Sequence, residues 1–404
     1  MDSSRWWRDA VIYEVYVRSF ADGTGDGTGD LPGLTARLPY LRDLGIDAIW
    51  LTPFYRSPMI DGGYDVADHR DVDPLFGNLA DFDALLSRTH ELGLRLIVDL
   101  VPNHSSSAHP WFVEALAAPR GSSARERYIF RPGRPAGSPA PGSNTSPAGP
   151  GGAGPGDAGP ARPGGVADVE APPNDWESVF GGRAWTRVPD GDWYLHLFDP
   201  SQPDFNWRHP EVRAEFASIL RYWLDRGVDG FRVDVAHGLI KAEGLPDVGH
   251  PDQLKLRSKA LLPYFDQDDI HEIFREWRTV LDTYPGDRMA VAEAWVSPPD
   301  RLARYVAADE MHQAFNFDFL QAPWSATEYR KIIDECLAAS EKVGATTTWV
   351  LSNHDVRRHP TRLGSLARAR TAAGYRCPGP EPPRRSASPP RRRPGCPPRR
   401  PGRR

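Results

Sequence analysis

The sequence predicts an α/β protein in which β-strands and amphipathic helices alternate along the chain. Three observations predict this. Strand-like runs rich in β-prone residues end on acids: Leu96-Ile97-Val98-Asp99, Gly230-Phe231-Arg232-Val233-Asp234 and Met289-Ala290-Val291-Ala292-Glu293, with Trp349-Val350-Leu351 running on to Asp355. Helical patterns stand between them, the clearest being Pro210 to Arg226, with acids early and arginine late. The 404 residues, 40% hydrophobic and 25% charged, suit a globular protein with one large domain or two ordinary ones.

Composition narrows the function classes. No apolar run approaches the eighteen or so residues of a membrane span, and Met1-Asp2-Ser3-Ser4-Arg5-Trp6-Trp7 has no apolar signal core, so a cytoplasmic protein with no membrane partner is expected. Three cysteines, Cys336, Cys377 and Cys396, make no disulfide framework. The net charge of −5 divides unevenly: Thr371 to Arg404 carries ten Arg and one Glu, so it is +9 and the rest is −14. An acidic body without a nucleic-acid-binding motif argues against a nucleic-acid partner despite the basic tail.

In order, Ala10 to Phe20 alternates as a first strand. Next, Asp22, Thr24, Asp26, Thr28 and Asp30 put a side-chain oxygen at every second position, with glycines between. Such a loop is either a polar turn or a cradle for one hard cation, calcium by its oxygen donors. Leu34 to Leu44 reads as a helix ending at Gly45, Ile46 to Leu51 as the second strand, Ala80 to Leu92 as a helix and Arg95 to Leu100 as the third strand. The pattern dissolves from Ser105, and Arg131 to Pro173 is so rich in Gly, Pro, Ala and Ser that its middle is expected to be disordered. Order returns near Asn174. Asp268 to Tyr284, Arg301 to Val306 and Tyr329 to Lys342 read as helices, and His312 to Phe319 and Thr346 to Leu351 as strands. Ten prolines after Thr371 forbid regular structure, so 367–404 is expected to be a disordered tail.

The centre of the pattern is Gly230 to Val235. Arg232 and Asp234 are two apart, so on a strand they share a face. By itself the pair reads equally as a structural ion pair or as a carboxylate kept ionised for nucleophilic attack. Glu293, between Ala292, Ala294 and Trp295, has the apolar setting that favours a protonated carboxyl.

Five segments in this order, DLVPNH (Asp99 to His104), QPDFNW (Gln202 to Trp207), GFRVDVAH (Gly230 to His237), AEAW (Ala292 to Trp295) and LSNHD (Leu351 to Asp355), resemble the α-amylase superfamily, glycoside hydrolase family 13, in its α-glucosidase and oligo-1,6-glucosidase branch. The resemblance runs from about Trp6 to about Leu366. It implies a (β/α)8 barrel with a domain inserted after the third strand and the site at the C-terminal strand ends. That divides the chain into barrel 1–104, inserted domain 105–201, barrel 202–366 and tail. No eighth strand, eighth helix or C-terminal β domain follows Leu366, where the chain resembles out-of-frame translation, so an incomplete barrel is expected.

The resemblance assigns Asp234 as nucleophile, Glu293 as acid/base and Asp355 as the acid that steadies the transition state. It gives Asp61, Tyr64, His104, Arg232 and His354 sugar contacts, and Asp99 and Asn103 supporting roles. The metal loop Asp22, Thr24, Asp26, Thr28 and Asp30 matches a structural calcium site in the related enzymes, with Thr24 where they carry Asp or Asn; no organic cofactor is implied. Val235, the residue after the nucleophile, goes with α-1,6 cleavage in those enzymes. The implied function is a monomeric retaining α-glucosidase acting on short α-glucoside oligosaccharides. A transglycosylase, a trehalose-synthase-like member and a catalytically dead binding relative remain as alternatives.

Overall fold

The computed structural model describes residues 5–135, 170–256 and 260–374. Seven parallel strands form one sheet in chain order: β1 (Ile12–Val15), β2 (Ala48–Leu51), β3 (Arg95–Leu100), β4 (Gly230–Val233), β5 (Met289–Ala292), β6 (Gln313–Asn316) and β7 (Thr348–Trp349). Among the described residues β1 and β7 are its edges, as expected of an incomplete barrel. Helices α1 (Leu31–Leu44), α2 (Leu79–Glu91), α3 (Pro210–Arg226), α4 (Ile270–Asp282), α5 (Pro299–Arg304) and α6 (Ala326–Lys342) alternate with the strands, apart from the long insertion between β3 and α3.

The period of two sorts the strand residues. Ile49, Leu51, Leu96, Val98, Phe231, Val233, Ala290 and Ala292 join one large core with the apolar faces of the helices. Ala48, Trp50, Ile97, Met289 and Val291 pack in a second cluster on the opposite face with Trp7, Phe315 and Phe317. Arg232 alternates with Phe231 and Val233 and so faces this second side. Gly230 is required where it stands: a Cβ there would meet the Met289 carbonyl oxygen at 2.5 Å.

Register then sets the site. Arg232 pairs with Asp99 on β3 and Val291 on β5, and Val233 with Leu100 and Ala292. The ladder runs one step further, with the Asp234 amide on the Leu100 carbonyl (2.8 Å) and the Glu293 amide on the Val233 carbonyl (2.9 Å). Two acids thereby leave neighbouring strands at the same level.

The insertion carries a three-stranded antiparallel sheet of Phe130–Pro132, Asp192–Leu195 and Trp185–Arg187. Arg134–Pro135 pairs antiparallel with Glu170–Ala171. The expected disordered segment falls mostly on 136–169, outside the described residues. Trp176, Trp185, Leu195 and Leu197 of the insertion share a core with Val235, Tyr264 and Phe265 from beyond β4.

Several boundaries differ from the sequence reading. The first strand stops at Val15, because the chain turns into a short helix at Val17–Phe20. α1 starts three residues early, since Asp30 caps it by accepting the Gly33 amide (2.6 Å). β7 keeps two residues of the six expected, as it pairs only with Phe315 and Asn316. Residues 366–374 form a helix rather than a disordered start to the tail: four alanines precede the first proline at 378. The rest of the tail, from 375, lies outside the described residues.

Candidate active site

Arg232 is the hub. It is fully buried, and its Nη1 donates to Asp99 Oδ1 (2.9 Å), Asp99 Oδ2 (3.1 Å) and Asp234 Oδ1 (2.5 Å). Its Nη2 lies 2.8 Å from Glu293 Oε2. Asp234 and Glu293 therefore lie against adjacent nitrogens of one guanidinium, the first by a hydrogen bond and the second as an ion pair. The Trp50 ring lies 5.0 Å from the guanidinium carbon and the Tyr64 ring 5.7 Å. Asp99 sits beneath, also accepting from Trp50 Nε1 (3.2 Å) and Tyr64 Oη (3.0 Å).

Three carboxylates on one cation cannot all stay ionised without cost. The distribution differs from the sequence expectation. Burial raises Asp234 well above the usual carboxylate range; Arg232 opposes and the Glu293 charge adds to the rise. Burial likewise carries Asp99 to about 6 against the pull of Arg232. Burial also acts to raise Glu293, but Arg232, the Val235 amide (3.0 Å) and Trp295 Nε1 (3.0 Å) outweigh it and bring it to about 2. Flanking Ala292, Ala294 and Trp295 suggested a dry, protonated Glu293; instead Trp295 turns its indole N–H onto the carboxylate, and Arg232 and the Val235 amide reach it from the neighbouring β4 segment, which its local sequence does not show. Burial and the neighbouring charges thus push Asp234 upward while the donors around Glu293 pull it down.

A ring of polar groups surrounds this centre. The His354 ring stacks on Tyr64 with centroids 5.2 Å apart and planes at 12°. Its Nδ1 lies 2.6 Å from Glu14 Oε1 and its Nε2 3.3 Å from Asp355 Oδ1. The Asp355 carboxyl, half exposed, is raised by burial first, with His354 opposing and the Glu293 charge adding to it. Asp61 is raised by burial and, among other charges, by Asp355, and its Oδ2 accepts from Gln202 Nε2 (2.8 Å). Gln202 in turn is 3.2 Å from His104 Nε2. The acids Asp234, Glu293 and Asp355 and the residues Asp61, Tyr64, His104, Arg232 and His354 thus form one connected cluster. Glu14, Trp50, Gln202 and Trp295 belong to it as well. Gln202 lay inside the QPDFNW segment without a role, Trp295 had been read only as an apolar flank of Glu293, and Glu14 and Trp50 carried no signal in their own strands.

The acidic loop behaves differently. Asp22 accepts the amides of Thr24 (3.0 Å), Gly25 (2.6 Å) and Gly27 (2.8 Å), Asp26 that of Thr28 (2.8 Å), and Asp30 those of Gly23 and Gly33. The carboxylates turn to backbone amides rather than to one point. Among the described residues no group of three or more His, Cys, Asp or Glu is arranged to hold a metal.

Residues 14–376 match the family model "Alpha amylase, catalytic domain". The chain is 36% identical over 374 residues to the oligo-1,6-glucosidase of Parageobacillus thermoglucosidasius, covering 89% of this chain and 60% of that protein. It is 38% identical over 376 residues to a probable alpha-glucosidase of Rhizobium meliloti, covering 88% and 61%. The solved structure of the alpha-glucosyl transfer enzyme XgtA superposes with a TM-score of 0.74 at 36% identity, over 90% of this chain and 63% of that one. The chain thus spans about 60% of the length of the curated relatives it matches. It belongs to the alpha-amylase family of catalytic domains, glycoside hydrolase family 13, with oligo-1,6-glucosidases and alpha-glucosidases among its relatives.

Proposed function

We propose that this site releases terminal glucose from short α-1,4- and α-1,6-linked oligosaccharides with retention of configuration. The observation that carries the reading is the Arg232 fork holding Asp234 and Glu293 side by side. Retaining hydrolysis needs its two carboxyl groups close together, about 5–5.5 Å apart, and here both contact one guanidinium. Asp234 attacks the anomeric carbon and Glu293 protonates the departing oxygen. Water, deprotonated by Glu293, then displaces Asp234 from the sugar. The reaction needs Asp234 ionised and Glu293 protonated, and the two carboxyls on one guanidinium titrate as a unit. Tyr64 and His354 offer a flat platform for the ring, while Asp61, His104 and Asp355 offer hydroxyl partners.

The test is hydrolysis of p-nitrophenyl α-glucoside, maltose and isomaltose by the 404-residue chain and by a version extended with the C-terminal region of an oligo-1,6-glucosidase relative. Glucose release as the α-anomer by either form is expected; release by neither overturns the reading. Similarity to a glucosyl transfer enzyme favours one second reading, transfer of the glucosyl group to another sugar. Products longer than the substrate at high sugar concentration decide for it. We further propose that Asp22, Thr24, Asp26, Thr28 and Asp30 take a structural calcium ion, supported by their alternating oxygens and requiring some carboxylates to exchange backbone amides for the ion.

A further inference from the structure

We propose that the buried Lys241–Asp204 ion pair is a positioning device that, through Asn103, fixes which ring nitrogen of His104 carries the proton. Lys241, Asp204, Asn103 and His104 are all buried. Lys241 lies seven residues beyond Asp234, and Asp204 closes the insertion through a bridge to His104. The Lys241 ammonium donates to Asp204 Oδ2 (2.7 Å), to Asn103 Oδ1 (2.9 Å) and to the Gly238 carbonyl, which commits all three of its hydrogens.

An ammonium can only donate, so the oxygen of the Asn103 amide must face Lys241. Its NH2 group then faces Asp204 Oδ2 (3.1 Å) and His104 Nδ1 (3.3 Å). Turning the amide over would set oxygen against the Asp204 carboxylate and NH2 against the ammonium, so both charges enforce one orientation. An NH2 hydrogen aimed at Nδ1 needs a lone pair there. Burial holds the His104 ring neutral, with its pKa lowered to about 4, while Asp204 and Asp65 pull upward and Lys241 downward. A neutral ring with a bare Nδ1 carries its proton on Nε2, where the Tyr64 carbonyl, an acceptor only, waits at 3.2 Å. Gln202 is the contrary neighbour. Its amide is pinned by the Asp199 N–H on Oε1 (3.0 Å) and by Asp61, and its Nε2 approaches the same His104 nitrogen at 3.2 Å. The tautomer is therefore a balance, and the Lys241–Asp204 pair tips it by fixing Asn103.

The consequence rests on the glucosidase reading: a sugar hydroxyl oxygen docking here shares the Nε2–H with the Tyr64 carbonyl. The tautomer itself does not depend on that reading. Nitrogen NMR of 15N-histidine-labelled protein reads it directly, with the His104 signals assigned by their loss in His104→Gln. Wild type is expected to show a single Nε2–H tautomer at neutral pH; a mixed or Nδ1–H ring overturns the proposal whatever the variants do. The double change Asn103→Asp with Asp204→Asn keeps the charge and Lys241 but puts an acceptor against Nδ1. It is expected to move the proton to Nδ1 and to weaken binding of the glucose mimic 1-deoxynojirimycin about tenfold, the size of one lost hydrogen bond. An Nε2–H ring retained in a folded double variant refutes the relay. A wild type that shows the expected tautomer but binds no glucose mimic refutes the sugar-site reading and leaves the relay standing.

Discussion

His354 Nδ1 lies 2.6 Å from Glu14 Oε1, joining residues 340 apart in sequence. Glu14 is on β1 and His354 follows β7, so the contact spans the two edges of the sheet at the level of the site. Burial acts to lower the His354 pKa, but the Glu14 hydrogen bond and the Asp355 charge overcome it and the net shift is upward. A histidine raised on folding adds stability below its ordinary value of 6.5, and that stability disappears as pH rises through the higher folded value. The melting temperature of wild type should therefore fall between about pH 6 and pH 9 more steeply than that of Glu14→Gln. Parallel melting curves across that range would show that the pair carries no pH linkage.

The shared guanidinium predicts opposite effects for the two catalytic candidates. Asp234 is raised on folding, so its contribution is present at acid pH and lost as pH rises. Asp234→Asn mimics the protonated form and should melt higher than wild type at pH 7, while hydrolysis falls by about 10⁴-fold or more. Glu293 is lowered to about 2, so its contribution is present above about 4.5 and lost as pH falls through about 2. Glu293→Gln takes the charge from Arg232 Nη2 and should melt lower at pH 7. Thermal shift of the two variants beside wild type is the measurement, and equal shifts of the same sign would contradict the assigned proton distribution.

What the sequence made legible is what lies close along it. Asp234 and Glu293 end β-prone runs, and period two placed Arg232 with Asp234 on one face. Register, which local pattern does not encode, put Glu293 Oε2 on the same guanidinium, which pulls its pKa down where an apolar flank suggested a rise. Lys241 and Asp204 were unreadable for a related reason: a lone lysine is normally solvated, and only the fold brings its buried ammonium 2.7 Å from Asp204. Asp30 was expected among the ligands of the loop, and its second part, as the cap one residue before α1, went unread. The seven-strand sheet was legible because each strand is a separate apolar run. Strand ends were not, since the first and last strands release their ladder bonds early at the sheet edges.

Val235 occupies left-handed backbone, φ 43°, a conformation uncommon for a β-branched residue. Its amide is thereby turned onto Glu293 Oε2 (3.0 Å), and its side chain packs in the insertion's core. Strain of this kind costs about 1–3 kcal/mol and persists only where its surroundings enforce it. Val235→Ala keeps the amide and trims the side chain. It should leave the rate on p-nitrophenyl α-glucoside within about threefold, destabilise by about 1–3 kcal/mol through the space opened in that core, and lower the isomaltose-to-maltose rate ratio. A ratio unchanged within error would remove Val235 from the specificity argument while leaving its backbone role intact.

The loop from Asp22 to Asp30 can be dissected because two of its acids do different work. Asp30 is buried and holds the first turn of α1 by accepting the amides of Gly23 and Gly33. Asp30→Ala should cost about 2 kcal/mol in chelator, the upper end for a lost helix cap, and, as a proposed ligand, should lose the calcium gain as well. Asp22 is exposed and is lowered from the usual carboxylate value chiefly by the Gly27 and Gly25 amides. Its contribution is therefore present above the ordinary value of 3.8 and lost as pH falls below it. If the loop takes calcium, saturating the ion at about a hundred times its dissociation constant adds about 2.7 kcal/mol, and Asp22→Ala should lose that gain while changing little in chelator. Calcium titrations of melting temperature on wild type, Asp22→Ala and Asp30→Ala separate the cases. A wild-type melting temperature indifferent to both calcium and chelator would leave the loop as a cap and turn, with the amide contacts of Asp22, Asp26 and Asp30 as its whole function.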